Sequence, residues 1–159
     1  MISTITSLKN ELVKRAASLK MKKYRQKEGL FLLEGKRAVE EALASQWNIR
    51  ALFFTRLPEG WDEKAEESSL PWYEVPLAVL QKITATEDPQ SVAALVEIRP
   101  RDLGGFAPDR GFVLVLDQIR DPGNLGTLIR TADALGAAGV VLLKDTADLY
   151  NPKVVRSTM

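Results

Sequence analysis

The sequence predicts an α/β fold in two units, on three observations. Short apolar runs with strand character alternate with amphipathic segments at helical spacing. Between Arg99 and Gly111 lie two Pro, three Gly and five charged residues with little to pack. The 159 residues are 45% hydrophobic and 27% charged, the usage of an ordinary globular chain with one large or two small domains. No apolar run approaches the roughly 18 residues a membrane span needs, which predicts a soluble, cytoplasmic protein without a membrane partner.

The elements follow in order. Ile5, Leu8, Leu12, Ala16 and Leu19 recur at helical spacing and predict a first amphipathic helix, with Thr4, Thr6 and Ser7 as cap candidates. Lys22 to Lys27 extends it until Gly29 breaks it. Leu30 to Leu33 reads as a short buried strand ending at Glu34-Gly35, Arg37 to Ser45 as a helix, and Ile49 to Thr55 as a second strand. Asp62 to Ser68 is a short polar helix, Trp72 to Val75 a third strand, and Pro76 to Ile83 a helix with Pro at its start. Ser91 to Ile98 is a fourth strand, and the alternation predicts a mainly parallel sheet covered on both faces. Trp47, Trp61 and Trp72 read as structural.

Beyond the linker, Phe112 to Leu116 is a continuous apolar run expected to be buried on both faces. A loop from Asp117 to Gly123 leads to a helix over Asn124 to Leu135, then to a strand over Val140 to Leu143 and a helix after Asn151-Pro152. One β-α-β unit cannot cover both faces of its own sheet, so the first domain, a partner or more chain must complete it.

Two residue counts narrow the chemistry. The chain has no Cys, so it has no thiol nucleophile, thiolate metal site or disulfide. It has no His, so it has no imidazole base, Ser-His-Asp triad or His metal pair. No metal site is expected. Residues 1–40 hold ten Lys/Arg against four Glu, while the remainder holds twelve against seventeen acidic residues. Charge sorted this way points to a polyanion for the first part, or to a solvated basic helix.

The informative segment is Asp121-Pro122-Gly123-Asn124-Leu125-Gly126-Thr127-Leu128-Ile129-Arg130-Thr131-Ala132. It follows the end of a strand, where open α/β sheets place ligands. Gly123 and Gly126 would let backbone approach a ligand, and Asn124 would cap the helix. Neither the dinucleotide nor the phosphate-loop glycine pattern is present. Leu125, Leu128, Ile129, Ala132 and Leu135 define the packed side of the helix, and Arg130 falls roughly 140° from Leu125. Spacing alone leaves Arg130 open between a surface arginine paired with Asp133 and a site residue.

Asn124-x-Gly126-x-x-x-Arg130-Thr131-Ala132, after a strand ending Leu116-Asp117 and before Gly136-Ala137 and another apolar strand, resembles the first motif of the SpoU (TrmH-type) branch of the SPOUT RNA methyltransferases. Asn151 to Met159 resembles the opening of the second motif. Lys22-Lys23-Tyr24-Arg25 and Gly29 to Gly35 resemble the substrate-binding domain that precedes the catalytic domain in ribosomal-RNA members.

The resemblance implies a small ribosomal-protein-like α/β RNA-binding domain over 1–99, a linker over 100–110, and over 111–159 the first part of a SPOUT (α/β-knot) methyltransferase domain. It implies methyl transfer from S-adenosylmethionine to a ribose 2′-hydroxyl of structured, ribosomal RNA, by a homodimer when complete. Arg130 matches the residue assigned to activating the hydroxyl, and Asn124 the residue holding loop and RNA backbone near it. Lys22, Lys23, Arg25, Lys36 and Arg37 become phosphate contacts, and Tyr24 either stacks on an unpaired base or packs internally. The family's later segments, a glycine-rich loop with Asn-Glu and a strand and loop with Ser-Leu-Asn, build most of the cofactor pocket, the knot and the dimer contact. They are absent from these 159 residues, so the cofactor site is expected mostly beyond Met159 and the chain is expected to be an incomplete form. The alternatives are a non-catalytic RNA-binding module and, with less support, a metabolite-binding α/β protein.

Overall fold

The computed structural model describes residues 2–99, 103, 106 and 110–158. The chain divides into two compact units, Met1–Ile98 and Arg99–Met159. Most of the stretch read as a linker, 100–102, 104–105 and 107–109, lies outside the described residues.

The first unit opens differently from the helical reading. Ile2–Thr4 is a strand, β1, and the helix α1 begins only at Glu11 and ends at Ser18. Asn10 caps it, its side chain accepting from the Leu12 and Val13 amides at 2.9 and 3.4 Å, so Thr4, Thr6 and Ser7 are not its caps. The β-branched residues at the start pair instead with a neighbouring strand, and the Ile5 amide donates to the Glu74 carbonyl at 3.0 Å. Ile5 is still buried in the core that α1 covers, but it sits at the end of a strand and not in the helix.

The next elements are α2 (Lys22–Glu28), β2 (Leu30–Glu34), α3 (Lys36–Ala44), β3 (Ile49–Phe54), α4 (Asp62–Glu67), β4 (Trp72–Glu74), α5 (Leu77–Ile83) and β5 (Val92–Glu97). Gly29 ends α2 in the left-handed region, φ 63°, where only glycine sits without penalty. The sheet has five strands in the order β1-β4-β3-β5-β2. It is mixed, not mainly parallel: β4 runs parallel to β1 and β3, and β5 runs antiparallel to both β3 and β2. The mixture arises because β5 inserts between β2 and β3, which local helix–strand alternation does not encode.

Alternate residues of each strand serve two cores. Leu30, Leu32, Ala51, Phe53, Ala93 and Leu95 pack with Val13 and Ala16 of α1, with Leu19 at its C-terminal end, and with Val79, Leu80 and Ile83 of α5. On the opposite face the strands meet α3, whose Ala38, Val39 and Ala42 are buried. Trp61 and Trp72 are fully buried edge-to-face at 5.8 Å, and Trp47 packs edge-on to Phe31.

The second unit is a β-α-β segment followed by one further helix. β6 (Val113–Leu116) pairs in parallel with β7 (Gly139–Leu142), and α6 (Pro122–Ala134) and α7 (Pro152–Ser157) pack together. Leu116, Leu125 and Val154 form its core, joined by Leu114, Leu128, Ile129, Val140 and Leu142. The apolar run of β6 is not buried on both faces. Leu114 and Leu116 face the helices, while Val115, pointing the other way by the pleat, is 55% exposed. Leu135 leaves the packed side as the C-cap of α6 and is also exposed.

Candidate functional site

Asp121, not Asn124, caps α6. Its carboxylate accepts from the Asn124 amide at 2.8 Å and lies 3.8 Å from the Lys153 ammonium, which ties the start of α6 to α7. Pro122 takes the first helical position, where its missing N–H costs nothing. Gly126 serves helix packing and not ligand approach: a Cβ there would lie 2.8 Å from the Val154 carbonyl and against the Ser157 side chain. Gly123 has more room, with Asp121 Oδ1 3.1 Å from such a Cβ.

At the end of β6, Gln118 takes a left-handed conformation, φ 54°, uncommon for a side-chain-bearing residue. Residues 118–121 fold back against the first turns of α6. Loop and helix together line an open cleft of about 430 Å³, whose walls are Gln118, Ile119, Arg120, Asp121, Asn124, Thr127 and Leu128. Asn124 is therefore in the cleft. Arg130 is exposed on α6, six residues and about 9 Å of helix further on, outside the lining. The Thr127 hydroxyl donates to the Gly123 carbonyl at 3.0 Å and stiffens the first turn.

The basic residues of the first unit separate by burial. Lys22 and Lys23 are exposed in the first turn of α2, with the Lys23 ammonium 4.8 Å from the Tyr24 ring centre. Lys36 and Arg37 open α3 and are exposed, Lys36 lying 3.8 Å from Glu40. Arg25 corrects the expectation. It is 2% exposed, and its guanidinium donates to the Leu19 carbonyl at 2.6 Å and the Lys20 carbonyl at 2.9 Å. A group so enclosed holds the end of α1 and cannot reach an external phosphate. Tyr24 is half-buried against the core, the packing alternative of its two readings.

Glu34 and Gly35 do more than close a strand. Glu34 accepts from the Ala85 amide at 2.7 Å and the Thr86 hydroxyl at 3.1 Å, which pins the loop after α5. Gly35, at φ 99°, passes so close to Gln90 that a Cβ would lie 2.7 Å from its Oε1. That same oxygen accepts from the Lys36 amide at 3.1 Å. Lys20, not singled out in the sequence, stands within range of Glu34. Partial burial pulls its ammonium below the usual lysine value of 10.5, and the Glu34 carboxylate acts in the opposite direction.

Sequence reading also missed Gln118, Arg120 and Thr127 as cleft residues. The signal available was their position between a strand end and a helix start; the left-handed turn at Gln118 has none. Among the described residues no cluster of acidic side chains could hold a metal ion.

Two family models match the chain: residues 10–94 match the MRM3-like substrate binding domain and residues 111–159 the SpoU rRNA Methylase family. The chain is 39% identical over 156 residues to the 23S rRNA (guanosine(2553)-2′-O)-methyltransferase RlmP of Bacillus subtilis, covering 96% of this chain and 59% of that protein. It is 32% identical to the 23S rRNA (uridine(2479)-2′-O)-methyltransferase of Streptomyces viridochromogenes, covering 97% and 55%. The crystal structure of an AdoMet-bound rRNA methyltransferase from Sinorhizobium meliloti superposes with a TM-score of 0.87 at 38% identity, over 99% of this chain and 60% of that one. The chain thus spans about three-fifths of the length of these relatives.

Proposed function

Because the chain belongs to the SpoU rRNA methylase family, we propose that it takes part in methyl transfer from S-adenosylmethionine to a ribose 2′-hydroxyl of ribosomal RNA. One observation carries this reading: the cleft at the end of β6, with Asn124 in its wall and Arg130 on the same helix, lies in the segment that matches the methylase model. Under it, residues 1–99 are the RNA substrate-binding domain, 100–110 the linker, and 111–159 the first part of the methyltransferase domain. A homodimer and a cytoplasmic location accompany the reading by family resemblance. No helix among the described residues is long and apolar enough to cross a membrane.

The chemical demand is acidity. A ribose hydroxyl gives up its proton far above neutral pH, and attack on a methyl carbon needs alkoxide character. A guanidinium about 4 Å from the developing oxyanion, at an effective dielectric near 20, attracts it by about 4 kcal/mol, roughly three powers of ten in acidity. Arg130 takes this role, and Asn124 hydrogen-bonds the RNA backbone beside it. Lys22, Lys23, Lys36 and Arg37 hold phosphates without reading sequence.

S-adenosylmethionine supplies an activated methyl carbon. The cleft does not fit its adenosine. Among the described residues the lining has no aromatic ring to stack the base, and the one carboxylate among them, Asp121, is engaged by the Asn124 amide. The cleft is accordingly assigned to RNA. The second reading, an RNA-binding module without catalysis, rests on the match of residues 10–94 to a substrate-binding domain.

Arg130→Ala separates the two. In the complete gene product, incorporation of labelled methyl into ribosomal RNA is expected to fall on the order of 10²–10³-fold, the usual cost of losing one oxyanion-stabilising group. RNA affinity should change little. Unchanged methyl incorporation in the variant, or none in the parent protein, rejects the catalytic role.

A further inference from the structure

Arg120 stands in the loop between β6 and α6 and lines the cleft, yet nothing described so far uses it. It is exposed and has no hydrogen-bond or ion-pair partner among the described residues. The other ionic group of the lining, Asp121, caps α6 and faces Lys153. Arg130 lies outside the lining and has an interaction of its own. The remaining polar walls, Gln118, Asn124 and Thr127, are neutral. The cleft thus holds one unneutralised charge, positive and planar, among groups that hydrogen-bond without charge.

An unpaired loop arginine is ordinarily a solvated surface residue. Here the backbone argues otherwise. Gln118 keeps a left-handed conformation that side-chain-bearing residues adopt only at a cost. Gln118, Arg120 and Asn124 line one cleft. A guanidinium grips a phosphate through a two-pronged fork that an ammonium lacks. A single phosphodiester beside a ribose meets one such charge flanked by neutral donors and acceptors.

On the reading that the cleft receives RNA, we propose that Arg120 is its phosphate anchor. It holds the phosphodiester next to the ribose to be methylated. Two arginines then divide the work: Arg120 binds the backbone and Arg130 acts on the hydroxyl.

The test uses the full chain and a fluorescein-labelled, mixed-sequence RNA stem-loop, with anisotropy titrations across a salt series. Arg120→Ala should weaken binding several-fold and reduce the slope of log affinity against log salt by about 0.7–0.9, the value of one phosphate contact. Arg120→Lys should restore the slope but not the full affinity, because it keeps the charge and loses the fork. Circular dichroism of each variant should match the parent. If Arg120→Ala binds as the parent does while a Lys22→Ala, Lys23→Ala double variant is weakened, the anchor role is overturned and the RNA reading stands. If the parent itself binds no RNA, both fall. If Arg120→Ala instead weakens calorimetric binding of S-adenosylmethionine with RNA affinity unchanged, the arginine holds the cofactor's carboxylate and the proposal is overturned.

Discussion

At Arg25 the guanidinium is spent on the chain's own backbone. Two carbonyls just after α1, of Leu19 and Lys20, take its hydrogens, the first of these bonds fully buried and the second partly. Removing it leaves buried acceptors unsatisfied, at about 1–3 kcal/mol. Arg25→Ala should therefore lower the urea midpoint of the chain by that much stability. Its effect on the salt slope of RNA binding should be nil once folding is accounted for, since it touches no phosphate. A slope reduced in a fully folded variant would return Arg25 to the binding surface. Arg120 is the counter-case: same charge, no partner among the described residues, open to a ligand. Neighbouring letters cannot distinguish the two, because burial is set by what packs from elsewhere.

The helices show how local chemistry and tertiary contact share control. α6 is legible in its packed stripe through Leu125 and Ala132 and its stop near Gly136, but not in its start: it reads as beginning at a cap on Asn124, whereas Asp121 caps it and Pro122 opens it. Its inner glycine is not legible either, because Gly126 answers to α7, an element well further along the chain, and not to a ligand. Gly126→Ala adds a methyl group where the Val154 carbonyl already lies 2.8 Å from the Cβ position. Overpacking of this kind costs about 1–3 kcal/mol. The expected result is a lower melting temperature together with weaker RNA binding at the cleft, because α7 also carries Lys153 opposite Asp121. An unchanged melting temperature would mean that α6 and α7 part more easily than their packing implies. At α1 the discrepancy runs in the other direction. Its periodic pattern extends back to Ile5, but pairing of the first strand with β4 claims those residues before the helix can.

Over the whole molecule, positive charge is concentrated in the first forty residues and offset by the rest of the chain. Residues 1–40 carry a surplus of six positive charges on a chain whose net is +1. Lys22, Lys23, Lys36 and Arg37 lie exposed at the start of α2 and of α3. RNA affinity should accordingly fall steeply with salt. Replacing all four by Ala should flatten the slope by about 0.7–0.9 for each phosphate no longer held, without change in thermal stability. A slope unaffected by the fourfold replacement would place RNA binding elsewhere.

The sequence alone determined the element order from β2 onward, the α/β class, the family motifs and the excluded chemistries. Those depend on residue type and near-neighbour spacing, which are written along the chain. The opening strand β1 and the break between α1 and α2 it did not determine. Only the tertiary structure decided that β5 runs antiparallel between β2 and β3 and that Val115 is exposed. It also decided that Arg25 is buried, and that a left-handed Gln118 lines one cleft with Arg120 and Asn124. Each of these turns on contacts between residues far apart in sequence, or on a backbone angle that packing imposes against local preference. No local pattern records either.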